Sequence, residues 1–273
     1  MTQQHDESGL QPEMTLDDFR RRLADLPTAP PKEAAILSDL DRTRLAEVRR
    51  AWPKLPTETR RDLVTEMNEL GEENIAYNFG RVLKLALRDA DATVRAMAIE
   101  ALWEDEGEDI LAYLLDEGLS DTDLPVREAA TRALARFSQL AAEEEIDERW
   151  VQPLRGRLLA LVRGDDSTEV RRRALEALSV FTEDADVTGE IARAYASPDA
   201  IIQMSALYAM GRNLDQRWLD TIIKEMDSDS PGLRYEATKA SGEFGDRRAV
   251  PQLIERLGDD DREVQLAAIG ALG

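Results

Sequence analysis

The chain has 273 residues, 56 acidic against 35 basic, for a formal charge of −21; 42% of the residues are apolar and 5% aromatic. Such a field repels phosphate backbones and sets nucleic acid aside as a partner, and the lack of cysteine removes disulfide frameworks, thiolate nucleophiles and Cys-based zinc sites. The start, MTQQHDESGLQPE, has no basic segment followed by an apolar one, and no stretch approaches the roughly 20 apolar residues of a membrane span. A soluble, cytoplasmic protein without a membrane partner is expected.

In chain order, residues 1–34 read as a mostly disordered leader carrying one short helix, LDDFRRRLADL, and ending in the proline-rich LPTAPPKE. Residues 35–71 hold LDRTRLAEVRRAW and PTETRRDLVTEMNEL, a helix pair with Thr57 as a cap, which reads as a divergent first unit shielding the end of a stack.

From residue 74 a pattern repeats. DADATVRAMAIEAL at 89 recurs as DTDLPVREAATRAL at 121, DDSTEVRRRALEAL at 165, SPDAIIQMSALYAM at 197, SDSPGLRYEATKAS at 228 and DDDREVQLAAIGAL at 259. The anchors Val94, Val126, Val170, Ile202, Leu233 and Val264 are spaced by 32, 44, 32, 31 and 31 residues, a period that signals a solenoid. Alanine stands four residues after every anchor (Ala98, Ala130, Ala174, Ala206, Ala237, Ala268) and again seven after it (Ala101, Ala133, Ala177, Ala209, Ala240, Ala271). These offsets share one helical stripe, and small residues in its middle let neighbouring helices approach closely.

Three residues before each anchor lies Asp91, Asp123, Ser167, Asp199, Ser230 or Asp261, all good helix N-caps. Pro125 and Pro231 sit just inside a helix start, where a missing amide proton costs little. An apolar-periodic segment, such as PLRGRLLALV or AVPQLIERL, precedes each turn, so each unit reads as a helical hairpin. The 44-residue interval implies a longer first helix in the third unit, since Pro153 to Val170 is 17 residues against 13 from Pro251 to Val264; the rest is an acidic insertion at 141–149 expected in a loop. The sequence stops mid-unit at Gly273, which reads as a fragment of a longer protein or an end that packs on something else.

The Asp-rich turn, the Val-Arg pair and the paired alanines resemble the HEAT-repeat family over about residues 74–273, especially its short HEAT-like repeats, also called phycobilisome-lyase HEAT-like repeats. The resemblance implies an all-α, right-handed, armadillo-like superhelix of stacked hairpins over 35–273. It also implies an Asp–Arg ladder between successive turns, to which Arg95, Arg127, Arg171 and Arg234 conform while Gln203 and Gln265 depart.

Chemistry is scarce. The single histidine is His5, so Ser-His and Cys-His pairs are absent, and the His-Glu pairs with which HEAT-like deoxyhypusine hydroxylases hold iron have no counterpart. The D-x-D strings lack the glycine and terminal glutamate of an EF-hand loop and fall at helix caps. No catalytic, cofactor-binding or metal-ligating residue is assigned, and no cofactor is expected.

Two binding features remain. From Ala96 to Val126 there are ten acidic residues and no Lys or Arg, a segment that either attracts a basic partner or is a solvated face. At offsets 2, 6 and 9 from the anchor the second helices change from charged to aromatic and apolar, with Met204, Tyr208, Arg212, Tyr235, Lys239 and Leu266 as the candidate protein-binding residues and Gly211, Gly242 and Gly270 among them. In HEAT-like solenoids the second helices line the concave surface, so the expected function is a noncatalytic scaffold holding a protein or peptide there. The alternative that the family suggests is a bilin lyase or chromophore chaperone. The related idea of duplex DNA binding, as in HEAT-like DNA glycosylases, conflicts with the charge.

Overall fold

The computed structural model describes residues 14–26 and 33–273. His5 and most of the expected leader, including the prolines at 27–31, lie outside the described residues. Every regular element among the described residues is helical, and they form two compact units, one ending at Asp105 and one running from Glu106 to Gly273.

The first unit holds α1 (Leu16–Asp25), α2 (Arg42–Ala51), α3 (Thr57–Glu73), α4 (Gly80–Ala86) and α5 (Ala92–Ala101). Helix α1 starts where the Thr15 hydroxyl accepts from the Asp18 amide, with Asp17 and Asp18 favourably placed at the positive end of the helix dipole. Phe19 and Leu23, one turn apart, bury the same face and dock it on α2. Asp41 starts α2 in the same way, accepting from Arg44. Helix α3 begins on Thr57 itself with Pro56 in the cap position, so Thr57 is not the cap the sequence suggested; proline fixes an extended entry and the first helical turn follows at once.

Helix α3 lies against α5, and the join is electrostatic as well as apolar. Asp89, the first residue of the repeated string, is buried, accepts from Trp52 Nε1 at 2.7 Å and from Arg60 Nη2 at 3.0 Å, and takes the Asp91 amide at 2.8 Å. Burying a carboxylate is costly unless donors such as these satisfy its oxygens. Beside it Asp91 both caps α5 through the Val94 amide and pairs with Arg61 at 2.7 Å.

The second unit contains α6 (Glu108–Asp116), α7 (Leu124–Ala142), α8 (Glu148–Gly164), α9 (Thr168–Leu178), α10 (Ala185–Tyr195), α11 (Ala200–Asn213), α12 (Leu219–Glu225), α13 (Pro231–Phe244), α14 (Val250–Arg256) and α15 (Arg262–Leu272). These are five hairpins: α6 packs on α7, α8 on α9, α10 on α11, α12 on α13 and α14 on α15, while α7, α9, α11, α13 and α15 stack on one another in that order. The alanine motif explains the stacking. Ala130, Ala174, Ala206, Ala237 and Ala268 are fully buried, Ala177, Ala209 and Ala240 nearly so, and their missing bulk lets helix axes come close. Around them Leu134, Phe137, Leu154, Leu158, Leu175, Leu178 and Ile191 make the core.

The predicted caps are realised at four of the six positions. Asp91, Ser167, Asp199 and Asp261 accept amide protons of their first turns, whereas Asp123 and Ser230 make no such bond. Both of the latter precede a helix with proline in its first two residues, so one amide is already removed and the chain enters at a fixed φ.

The acidic insertion at 141–149 is loop at its centre and helix at its ends. Ala141 and Ala142 finish α7 and Glu148 and Arg149 start α8, capped by Asp147, so that 143–147 alone connect them. Alanine extends a helix readily, and the acid-rich part supplies the cap and first turn of the next.

The arginine after each anchor turns back on its own loop. Arg127 Nη1 donates to the carbonyls of Asp121 and Thr122, Arg171 to those of Asp165 and Asp166, and Arg234 to those of Ser228 and Asp229. Gln265 does the same toward the Asp259 carbonyl. Rungs to the next turn exist where that turn offers carboxylates: Arg127 reaches Asp165 at 3.3 Å and Asp166 at 2.8 Å, and Arg234 holds Asp259 at 2.9 and 2.8 Å. Serine stands at the equivalent positions 197 and 228, and the ladder is interrupted there.

Candidate functional site

The stacked second helices leave two cavities on one side. One of about 520 Å³ lies among α9, α11 and α13 and is lined by Glu169, Arg172, Arg173, Glu176, Ile201, Met204, Ser205, Tyr208, Glu236 and Lys239. The other, about 730 Å³, lies between α13 and α15, with Tyr235, Lys239, Leu266 and Gly270 in its wall. Lys239 borders both. Counted from the anchors, the lining falls at offsets −1, 2, 3 and 6, which is the i, i+3, i+4, i+7 stripe of a helix.

Five of the six sequence-derived residues therefore line this face: Met204 and Tyr208 in the smaller cavity, Tyr235 and Leu266 in the larger, Lys239 in both. Tyr208 is 37% and Leu266 57% exposed. The Lys239 ammonium sits 5.3 Å from the centroid of the Tyr235 ring, a cation–π contact. Met204 folds against the start of α13, where Gly232 leaves room: a Cβ there would meet its sulfur at 2.5 Å.

Arg212 stands apart. It lines neither cavity and donates from Nη2 to Gln139 Oε1 of α7 at 2.8 Å. On α11 and α13, offset 9 is a point of helix contact. Gly211 is buried, with Ala240 Cα and Cβ 2.8 Å from where its own Cβ would be, and Gly242 meets Ala271 in the same way at 2.9 Å. These glycines are the points where α11 closes on α13 and α13 on α15. Offsets 2 and 6 thus border the cavities, offset 9 on α11 and α13 falls at a helix contact, and the more enclosed offset 3 completes the cavity walls.

Offset 3 carries the residues that sequence reasoning missed: Arg173, Ser205, Glu236 and Ala267, all of which line one cavity or the other. On α9 the charges neutralise one another. Arg172 pairs with Glu169 and Glu176, and Arg173 with the same two carboxylates. Ser205 donates to Glu176 Oε1 at 2.7 Å, tying α11 to the group. Burial works to raise the Glu169 carboxyl, but the hydrogen bonds from Arg172 and Arg173 outweigh it and hold the group below its ordinary value.

Glu236 differs. Burial pushes its carboxyl above the ordinary range, the nearby Glu176 charge adds to this, and Lys239 and Arg172 only partly oppose it. Its Oε2 is enclosed and has no hydrogen-bond partner.

The acidic run from Ala96 to Val126 spans the boundary between the two units. Within the first, Asp105 pairs with Lys84 at 3.0 Å; within the second, Glu108 pairs with Arg149 and Glu106 lies 4.0 Å from Arg136. Part of its charge is thus spent inside each unit. Among the described residues there is no group of three or more His, Asp or Glu side chains arranged to hold a metal ion.

A family profile described as HEAT repeats matches residues 219–273, and one described as GCN1-like, C-terminal HEAT repeats matches 105–192. The chain belongs to the HEAT-repeat family. No curated protein matches its sequence. Among solved structures this HEAT-repeat chain is similar to Kap95p, in a structure concerned with its binding to RanGDP, at 12% identity and a TM-score of 0.57, covering 94% of this chain and 40% of that one. It is similar likewise to importin beta, at 14% identity and a TM-score of 0.56, covering 93% of this chain and 38% of that one. The HEAT-repeat chain spans about two fifths of their length, and identities this low show a shared HEAT/armadillo solenoid fold and nothing finer. Human deoxyhypusine hydroxylase matches over 94% of both chains at 19% identity and a TM-score of 0.38.

Proposed function

We propose that the protein is a noncatalytic interaction scaffold that captures a short helix or peptide of a partner protein along the inner wall formed by α9, α11, α13 and α15. The observation that carries this reading is the pair of adjoining cavities sharing Lys239, walled by Met204, Tyr208, Tyr235 and Leu266. Tyrosine and methionine supply large contact area at little conformational cost, and an open groove mixing apolar walls with a few charges suits a peptide better than a compact metabolite. The helices beneath are locked by alanine and glycine contacts, so the wall is preorganised.

Catalysis is not part of this reading: the one hydroxyl–carboxylate contact of the smaller cavity joins a buried Ser205 to a Glu176 already held by Arg172 and Arg173, and the described residues hold no metal cluster. The formal charge of −21 disfavours nucleic acid as the partner. No described helix is long and apolar enough to cross a membrane, so a lipid-embedded partner is not invoked. The test is a Tyr208→Asp, Tyr235→Asp double variant. Each tyrosine keeps its ring on an open wall, so the variant is expected to melt within a few degrees of wild type while losing partner capture by crosslinking pull-down; undiminished capture refutes the site.

A further inference from the structure

The smaller cavity holds an electrostatic imbalance that the scaffold alone does not resolve. On its α9 side, two arginines and two glutamates satisfy one another. On its α13 side, Glu236 has an enclosed oxygen without a partner, and Lys239, three residues on, forms no ion pair with it but lies against the Tyr235 ring. An uncompensated carboxylate is costly in such a place, and native proteins rarely leave one unless something else completes it. The cations of the wall are otherwise occupied: Arg172 and Arg173 are each engaged twice, and Lys239 lies over the Tyr235 ring.

We propose that the partner segment brings an arginine side chain into the cavity among α9, α11 and α13, where its guanidinium pairs with Glu236. This rests on the docking reading above and specifies its ligand. The walls fit an arginine. Ile201, Met204 and the Tyr208 ring offer apolar surface for the methylene stem and a π-face for the guanidinium. Glu236 lines the cavity, and a change of side-chain rotamer carries its whole carboxylate toward the incoming fork. The formal charge of −21 favours approach of a basic segment before contact. Lysine is the poorer fit, being a strongly hydrated point charge that cannot bond both carboxylate oxygens in one plane.

The experiment selects phage-displayed random dodecapeptides on the intact protein, on Glu236→Gln and on the Tyr208→Asp, Tyr235→Asp variant. Wild type is expected to enrich sequences with one arginine beside apolar residues. The selected peptide, made synthetically, should bind roughly tenfold or more weakly when its arginine is replaced by citrulline, and by a similar factor to Glu236→Gln. Because glutamine is isosteric and removes a desolvated charge, Glu236→Gln should keep or raise the melting temperature, so lost binding cannot be misfolding. Enriched peptides that lack arginine, carry acids facing Lys239, or bind Glu236→Gln as well as wild type overturn the arginine pairing. If such peptides still fail to bind the double tyrosine variant, the docking surface survives without it. No enrichment on wild type above an unrelated control removes both.

Discussion

Replacing Gly211 with alanine pits two effects of known sign against each other. Gly211 lies inside α11, where alanine is the better helix former by about 1 kcal/mol. The new methyl, however, would lie 2.8 Å from both Cα and Cβ of Ala240 on α13. Carbon atoms settle at about 3.5–4.0 Å, so α13 would have to withdraw by about 1 Å from its neighbour. The first atom met is backbone, which cannot rotate away, so the overpacking cost falls in the upper part of its usual range, about 2–3 kcal/mol, from which the propensity gain is subtracted. The strain is passed on, because Gly242 of α13 is itself closed on Ala271 of α15. A net loss of about 1–2 kcal/mol is expected, read as a fall of about 2–8 °C in the thermal midpoint followed by circular dichroism. Gly156→Ala is the control: it lies inside α8 with nothing within 4 Å of its added methyl, so propensity alone acts and the midpoint should rise. If Gly211→Ala rises as Gly156→Ala does, α11 and α13 do not approach as described and the stacking account is wrong.

Three further outcomes follow from individual contacts. Asp259→Asn removes the buried charge that Arg234 and Arg256 share, while Asp260 still reaches the Arg234 guanidinium, at an expected cost of about 1.5–3 kcal/mol in denaturant unfolding. The Arg234 hydrogen bonds, working against burial, hold Asp259 at about 2 against an ordinary 3.8. Its carboxylate is therefore favoured in the folded state, and it adds about 2 kcal/mol above pH 4 that is lost as pH falls toward 2; stability of Asp259→Asn measured across that window should vary less with pH. Asp199→Ala removes a used cap and should cost about 1 kcal/mol, while Ser230→Ala, which removes none, should stay within about 0.5 kcal/mol by the same unfolding assay.

The repeat was legible because its cause is local. A helix that touches a neighbour at 3.6-residue intervals needs small side chains at offsets 4 and 7, and every second helix of the sequence has them. Breaks in the ladder were legible in part: Gln203 and Gln265 showed where guanidinium is missing, but the serines at 197 and 228, which remove the carboxylate, went unweighed. Caps were readable by residue type, yet whether a cap is used depended on the proline behind it. Of the candidate stripe, five residues border the two cavities while Arg212 is tied to Gln139, because helix periodicity defines angles about one axis only.

From residue order alone came the all-helical class, the hairpin unit, its spacing and the small residues at its seams, since these follow from backbone periodicity, capping chemistry and side-chain size. The flank left open by each second helix, the closure of Gly211 on Ala240, and the solitary state of Glu236 amid paired charges came only from the assembled stack. They depend on the distance and rotation at which two helices settle, and that is decided by contacts between residues roughly thirty positions apart, which local periodicity does not encode.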